Sequence, residues 1–328
     1  MALASLGASA SGPRLVIGNT ESGGVAAFDI ESGAYLGAFL APTNDGSTVP
    51  DDLTPDRHGR LFIALGADRP REGTGVAAFA LPAGEPLPIR LTAPTLVRPY
   101  GVAVTGDRLL VAAFRTDAIL EFDLTAPERG PRRLAAGSGT VDGLNGPNDL
   151  LPMPDGRIWI TTQGSVAARD GTGAVSFEFP SQLLALDPAS GGVEVLHTST
   201  PITGAGFTSL LGLVRVPDSG HVFATDFAGA LLEFSGAGEL LGRIALVGDD
   251  PVRIGNLVHH DSALLVTGFD AENLDGFVLK VPLVDGALPD PGSVARRYID
   301  DPMHLRRPVG IAVIPPPSKT RHEPGRPR

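Results

Sequence analysis

One short phrase recurs along this chain, and a repeat of that kind restricts the fold more than composition does. Its clearest copy, GPNDLLPMPDGRIWITTQ from Gly146 to Gln163, joins a polar anchor (Pro147, Asn148, Asp149), an apolar strand, a Pro154-Asp155-Gly156 turn and a second strand. The β-formers and the turn chemistry make this one hairpin. The same grammar appears in VPDDLTPDRHGRLFIAL from Val49, RPYGVAVTGDRLLVAAF from Arg98, SLLGLVRVPDSGHVFATDF from Ser209 and RIGNLVHHDSALLVTGF from Arg253. A sixth, shortened copy, RPVGIAVIP, starts at Arg307. Aligned on the residue after the anchor, the copies give Asp52, Gly101, Asp149, Gly212, Asn256 and Gly310, at spacings of 49, 48, 63, 44 and 54 residues. That is the period of propeller blades, ~40 to 50 residues, apart from insertions. Each copy runs on into further alternating strands, such as AILEFDL from Ala118 and ALLEFS from Ala230. Four strands in each of six copies predict an all-β, six-bladed β-propeller.

The two ends of the repeat explain each other. Residues 14–40 hold RLVIGN, VAAFDIESG and AYLGAFL, three strands lacking a first, and Arg307 to Pro315 supplies a first strand lacking the rest. The last blade is therefore expected to close by pairing the N- and C-terminal strands, which removes an open sheet edge. This gives one propeller domain over 14–315, a flexible N-terminal segment over 1–13, and a Pro-rich, basic, disordered tail over 316–328.

Composition narrows the function. A formal net charge of -11 disfavours a nucleic-acid partner, because phosphate backbones are held by clustered Lys and Arg. The chain has no cysteine, which removes disulfides, thiolate zinc sites and a Cys nucleophile. MALASLGASASGP lacks the basic start and continuous apolar core of a signal peptide, and no run of 18 apolar residues occurs. The expectation is a cytoplasmic monomer with a small-molecule substrate and no membrane partner, a secreted or periplasmic location applying if a leader is missing. No GxSxG elbow, HExxH, P-loop or GxGxxG is present.

Antiparallel geometry sorts the residues by face. The anchors and the loops between second and third strands share one rim, and turns such as Pro154-Asp155-Gly156 lie on the other. His58, His221 and the His259-His260 pair then fall at the far turns and read as solvated. The insertion from Gln163 to about Ser181 and the connection TPITGAGFT from Thr200 belong to the anchor rim, where long loops commonly bind ligands.

The PND blade resembles the Asn-Asp anchor of the calcium-dependent six-bladed hydrolases: the senescence-marker-protein/gluconolactonase family, diisopropyl-fluorophosphatase and the paraoxonases. The architecture over Arg14 to Pro315 is equally similar to NHL-type repeats. The resemblance implies a central Ca²⁺ held by a Glu, two Asn and an Asp from separate blades, polarising a lactone, ester or phosphoester oxygen. Asn148 matches the first Asn, Asp149 its usual neighbour, and Asp51 falls at the Glu position. The remaining two positions carry Leu211 and Gly255, with Asn256 one residue out of register. The implied ligands of a Ca²⁺ or other divalent cation are thus Asp51, Asn148 and Asn256, and no organic cofactor is indicated.

The resulting expectation is a lactone or ester hydrolase of gluconolactonase-like type, metal-assisted, working at the anchor mouth of the tunnel. Asp149, Asp52 or His304 would move protons, and Tyr100, Arg115, Gln163, Phe207, Asp226 and Asp270 would meet the substrate. A metal-free propeller lyase, isomerase or synthase, motivated by Leu211 and Gly255, and a non-catalytic NHL-like interaction module are the alternatives.

Overall fold

The computed structural model describes residues 12–42, 49–66, 74–137, 139–167, 175–199, 209–246, 251–289 and 295–316. Alternating apolar residues and frequent Gly or Asp turns yield six four-stranded antiparallel sheets, arranged as blades. Their innermost strands are Val49–Pro55 in blade 1, Pro99–Thr105 in blade 2, Pro147–Pro152 in blade 3, Leu210–Arg215 in blade 4, Val252–His260 in blade 5 and Pro308–Ile314 in blade 6. Each packs against the next and the sixth packs against the first, so the ring is closed. In blade 6 the C-terminal strand Pro308–Ile314 pairs antiparallel with Arg14–Asn19, as the sequence predicts. The insertion in blade 3 forms its own hairpin, Ser165–Ala167 with Val175–Phe177.

The core consists of layers between neighbouring sheets rather than a single centre. One layer joins Phe62, Val76 and Leu91 of blade 1 to Val102, Leu109 and Phe122 of blade 2. Another buries Trp159 and Leu183 of blade 3 against Val222, Leu232 and Phe234 of blade 4. Burial of ~25 cal/mol per Å² of apolar surface in such layers is what holds sheet to sheet.

Every innermost strand is irregular near its start. Register slips between Pro50 and Asp52, Pro99 and Val102, Pro147 and Leu150, Leu210 and Leu213, and Ile254 and Leu257. A bulge leaves backbone groups unpaired and re-aims side chains. In half of the ring a buried threonine on the second strand takes up the loose groups. Asp149 N–H donates to Thr161 Oγ1 at 3.1 Å, and Thr161 in turn donates to the Leu211 carbonyl. Gly212 N–H donates to Thr225 Oγ1 at 3.0 Å and Thr225 donates to Gly255 O at 2.7 Å. Thr267 donates to Val309 O at 2.8 Å. Each hydroxyl therefore ties its own blade to the next. Thr225→Val keeps the shape and leaves an N–H and a C=O buried without partners. Chemical denaturation is expected to show a loss of about 3 kcal/mol, whereas Val at an exposed Thr should change little.

Candidate active site

At the bulge level each blade places one residue at an equivalent position of its innermost strand, and Asp52, Asp149 and Asn256 line the central cavity. Blades 1, 3 and 5 contribute Asp52, Asp149 and Asn256, and blades 2, 4 and 6 contribute Gly101, Gly212 and Gly310. The glycines are required by space, since none of the three has a left-handed φ. A Cβ on Gly101 would lie 2.5 Å from Asn148 O and 2.6 Å from the Asp149 Cα, and one on Gly212 would lie 2.8 Å from the Asn256 Cα. On Gly310 it would meet the Asp52 Cα at 2.9 Å. Alternate blades thus give up their side chains so that the others can reach inward, and the tunnel has a narrow waist.

Hydrogen bonds hold the waist. Asp52 accepts from Val102 N–H at 2.9 Å through Oδ2 and from the Asn256 amide at 3.0 Å through Oδ1. Asp149 accepts from Leu150 N–H at 2.7 Å and from Leu213 N–H, in the next blade, at 2.6 Å. No cation contacts either carboxylate among the described residues. Burial raises Asp149 to about 7, its two backbone donors opposing the rise. Burial also raises Asp52 well above the usual range, and the charge of Asp149 pushes it further. The waist therefore carries two buried acids that hold their protons above the usual carboxylate range, Asp149 to about 7, and acid–base chemistry uses carboxyl groups shifted in this way.

The same shifts fix a pH dependence of stability. Between its unfolded value of 3.8 and its folded value of about 7, Asp149 keeps a proton that the unfolded chain has lost. Stability is then full below that window and falls as pH rises through it, by something on the order of 4 kcal/mol. Melting temperatures are expected to be several degrees higher at pH 5 than at pH 8, and Asp149→Asn should flatten that slope.

The acids close one end of a cavity of ≈ 460 Å³ that opens on the turn face, with Pro55, Pro152, Val214, His259 and Val313 among its walls. This cavity lies on the opposite side from the anchor mouth, and His259, expected in a solvated turn, is among its lining residues. Inner strands extend past the waist toward the turns, and their alternate side chains continue to face the axis.

His304 is not brought to the waist. Its ring stacks on Tyr35 of the outermost strand of blade 6, centroids 3.6 Å apart, and its Nδ1 lies 2.8 Å from Asp301 Oδ2. It lines a separate ≈ 310 Å³ cleft with Asn19, Met303 and Arg306. Other candidates serve the backbone. Asp226 accepts from Ser209 N–H at 3.0 Å and Ala228 N–H at 3.1 Å, and Asp270 accepts from the Glu272 and Asn273 N–H groups. Tyr100 packs on Phe114 at 4.9 Å, and Arg115 lies over the same ring. Gln163 directly follows the second strand of blade 3, half-buried, its N–H donating to Gly146 O at 2.8 Å. Phe207 lies outside the described residues.

Asp51, Asn148 and Asn256 turn to three different neighbours. Asp51 Oδ2 lies 3.7 Å from Arg98 Nε. The Asn148 amide donates to Leu210 O at 2.5 Å, and the Asn256 amide goes to Asp52. The buried Asn148 Oδ1, without a hydrogen-bond partner, is an oxygen a cation could use. The facing positions are the buried Leu211 and Gly255, where a Cβ would already stand 2.4 Å from Thr267 Oγ1. Ca²⁺ takes six to eight oxygens, and with a guanidinium beside the one carboxylate this set does not fit it.

No known family profile and no curated protein matches the chain. Solved structures do match it in shape. The nidogen/laminin complex contains a chain 15% identical with a TM-score of 0.65, covering 92% of this chain and 98% of that one. The periplasmic gluconolactonase PpgL of Pseudomonas aeruginosa is 15% identical with a TM-score of 0.57, covering 94% and 100%. Virginiamycin B lyase of Staphylococcus aureus is 11% identical with a TM-score of 0.54, covering 94% and 91%. At such identities the likeness establishes the propeller fold. No helix among the described residues is long and apolar enough to cross a membrane.

Proposed function

We propose that this propeller is a small-molecule hydrolase of lactone or ester bonds in which Asp52 and Asp149 act as an acid–base pair. The reading rests on two buried carboxyl groups with raised pKa values at the inner end of an open cavity. In the productive state Asp149 is ionised and Asp52 protonated. A substrate carbonyl reaching the waist accepts a hydrogen bond from the Asp52 carboxyl while Asp149 takes a proton from water. The hydroxide so formed adds to the carbonyl carbon. Asp52 then gives its proton to the departing alkoxide, and proton transfer from Asp149 through solvent restores the pair. General acid and general base contributions of 10²- to 10⁴-fold are typical of such an arrangement. Gluconolactonase-like folds with this architecture support the substrate class, and the present acids supply chemistry that requires no metal.

The test is a panel of lactones and esters assayed with and without EDTA over pH 5 to 10. Turnover insensitive to the chelator, with a rate that climbs through pH 7 and declines at higher pH, is expected. An inactive panel, or activity that disappears with EDTA and returns with Ca²⁺, would overturn the reading. Product analysis separates hydrolysis from elimination, which the same pair could drive in a lyase.

A further inference from the structure

The opposite end of the tunnel carries a feature that the acid pair does not use. Three residues before the waist, on the anchor face, blades 2, 5 and 6 bear Arg98, Arg253 and Arg307. At 3.3 Å per residue this level is about 10 Å above the waist. Each guanidinium lies over an aromatic ring: Arg98 over Tyr100 at 5.2 Å, Arg253 over Phe227 at 5.7 Å and Arg307 over Phe269 at 5.9 Å. Phe227 and Phe269 touch edge to face at 6.1 Å, which joins two of the three. Arg307 and Arg98 both act on the Tyr100 hydroxyl, although Arg307 comes from two blades away. The arginines therefore surround one mouth.

Their backbone and pairing are unusual. Arg98 and Arg307 stand at φ 50° and 48°, each directly before a proline, and the corresponding residue of blade 3 is Gly146 at φ 66°. A left-handed conformation is costly for a long side chain and natural for glycine. Among the described residues Arg253 and Arg307 pair with no carboxylate, in a chain whose net charge is -11. Asp51 Oδ2 lies 3.7 Å from Arg98 Nε. Cations gathered against the overall charge and flattened on rings, Arg253 and Arg307 without a carboxylate among the described residues, present planar donors to an oxyanion.

We infer that Arg98, Arg253 and Arg307 form an anion-binding collar at the anchor mouth, taking the carboxylate or phosphate of a small molecule. About 10 Å of inner strand lies between this site and the acid pair, so it stands whether or not the acid pair turns over a lactone.

Isothermal titration of the full chain with inorganic phosphate and, separately, with acetate at fixed ionic strength tests it. Arg307→Gly is suited to the purpose, because glycine relieves the left-handed φ and already occupies the matching place in blade 3. Saturable binding of at least one anion is expected at millimolar concentration or tighter. It should weaken roughly tenfold in Arg307→Gly and again in the Arg253→Gln/Arg307→Gly double variant, since each removes a charge-assisted contact. Absence of binding by both anions, or equal binding by the wild type and a double variant with unchanged circular dichroism, would overturn the collar.

Discussion

Asp149→Asn is expected to lower kcat/KM on a lactone or ester substrate by 10²- to 10⁴-fold, with circular dichroism unchanged. The amide has the size of the carboxyl and cannot accept a proton from water. Asp52→Asn is the informative partner, because a neutral amide still donates a hydrogen bond to a carbonyl but has no proton to release. Its loss should be smaller, about 10- to 100-fold, and concentrated in kcat. The pH profile discriminates further. In the wild type, activity is expected to rise as Asp149 ionises near 7 and to fall when Asp52, with the negative charge of Asp149 against it, ionises in turn. Asp52→Asn should keep the rise and lose that fall. Wild-type rates in Asp149→Asn would remove the acid pair from any mechanism.

The second large effect concerns room. Gly101→Ala places a methyl group 2.5 Å from Asn148 O and 2.9 Å from Asp149 Oδ1. The obstacle is largely backbone of a neighbouring blade, so relief requires the sheets to part. A cost of about 3 kcal/mol is expected, at the upper end of overpacking effects, which for a chain of this size lowers Tm by about 4 °C. Calorimetry measures it. Gly156→Ala is the control: it has φ 89° with nothing within 4 Å of the added carbon, and strain alone should cost about 1 kcal/mol. Equal effects would mean that the waist is looser than its distances indicate.

Much of this architecture is legible in the sequence, and the reason is local. Anchor, strand, turn and strand are short-range signals, and six copies reinforce one another. Pairing the orphan strands 14–40 with 307–315 follows from counting, and the structure joins Arg14–Asn19 to Pro308–Ile314 as expected. The alignment of Asp52, Gly101, Asp149, Gly212, Asn256 and Gly310 likewise identifies the residues that share one level. Its alternation of polar residue and glycine is the signal for the waist, and it is readable once the ring is closed. Direction is harder. Asp51 and Asp52 are neighbours in the chain, yet a bulge sends Asp52 to Asn256 and Asp51 toward Arg98. Nothing in a pair of adjacent aspartates tells which one turns inward. The surroundings of His304 are not readable locally for a similar reason, because its stacking on Tyr35 depends on where the outermost strand of blade 6 runs. The arginines escape a reading by motif since three single residues in three blades make no local pattern.

The docking of the final strand has a consequence during synthesis. Gly310 lies at the far end of the chain from Arg14, yet it packs against Asp52 in the ring. Until the ribosome releases that segment, the first blade has no neighbour on one side and water reaches Asp52 freely. In a nascent chain Asp52 should therefore be an ordinary carboxylate, and only the finished ring supplies the burial that raises it. The proton affinity of that one carboxyl is thus a product of assembly, set only when the last blade shuts.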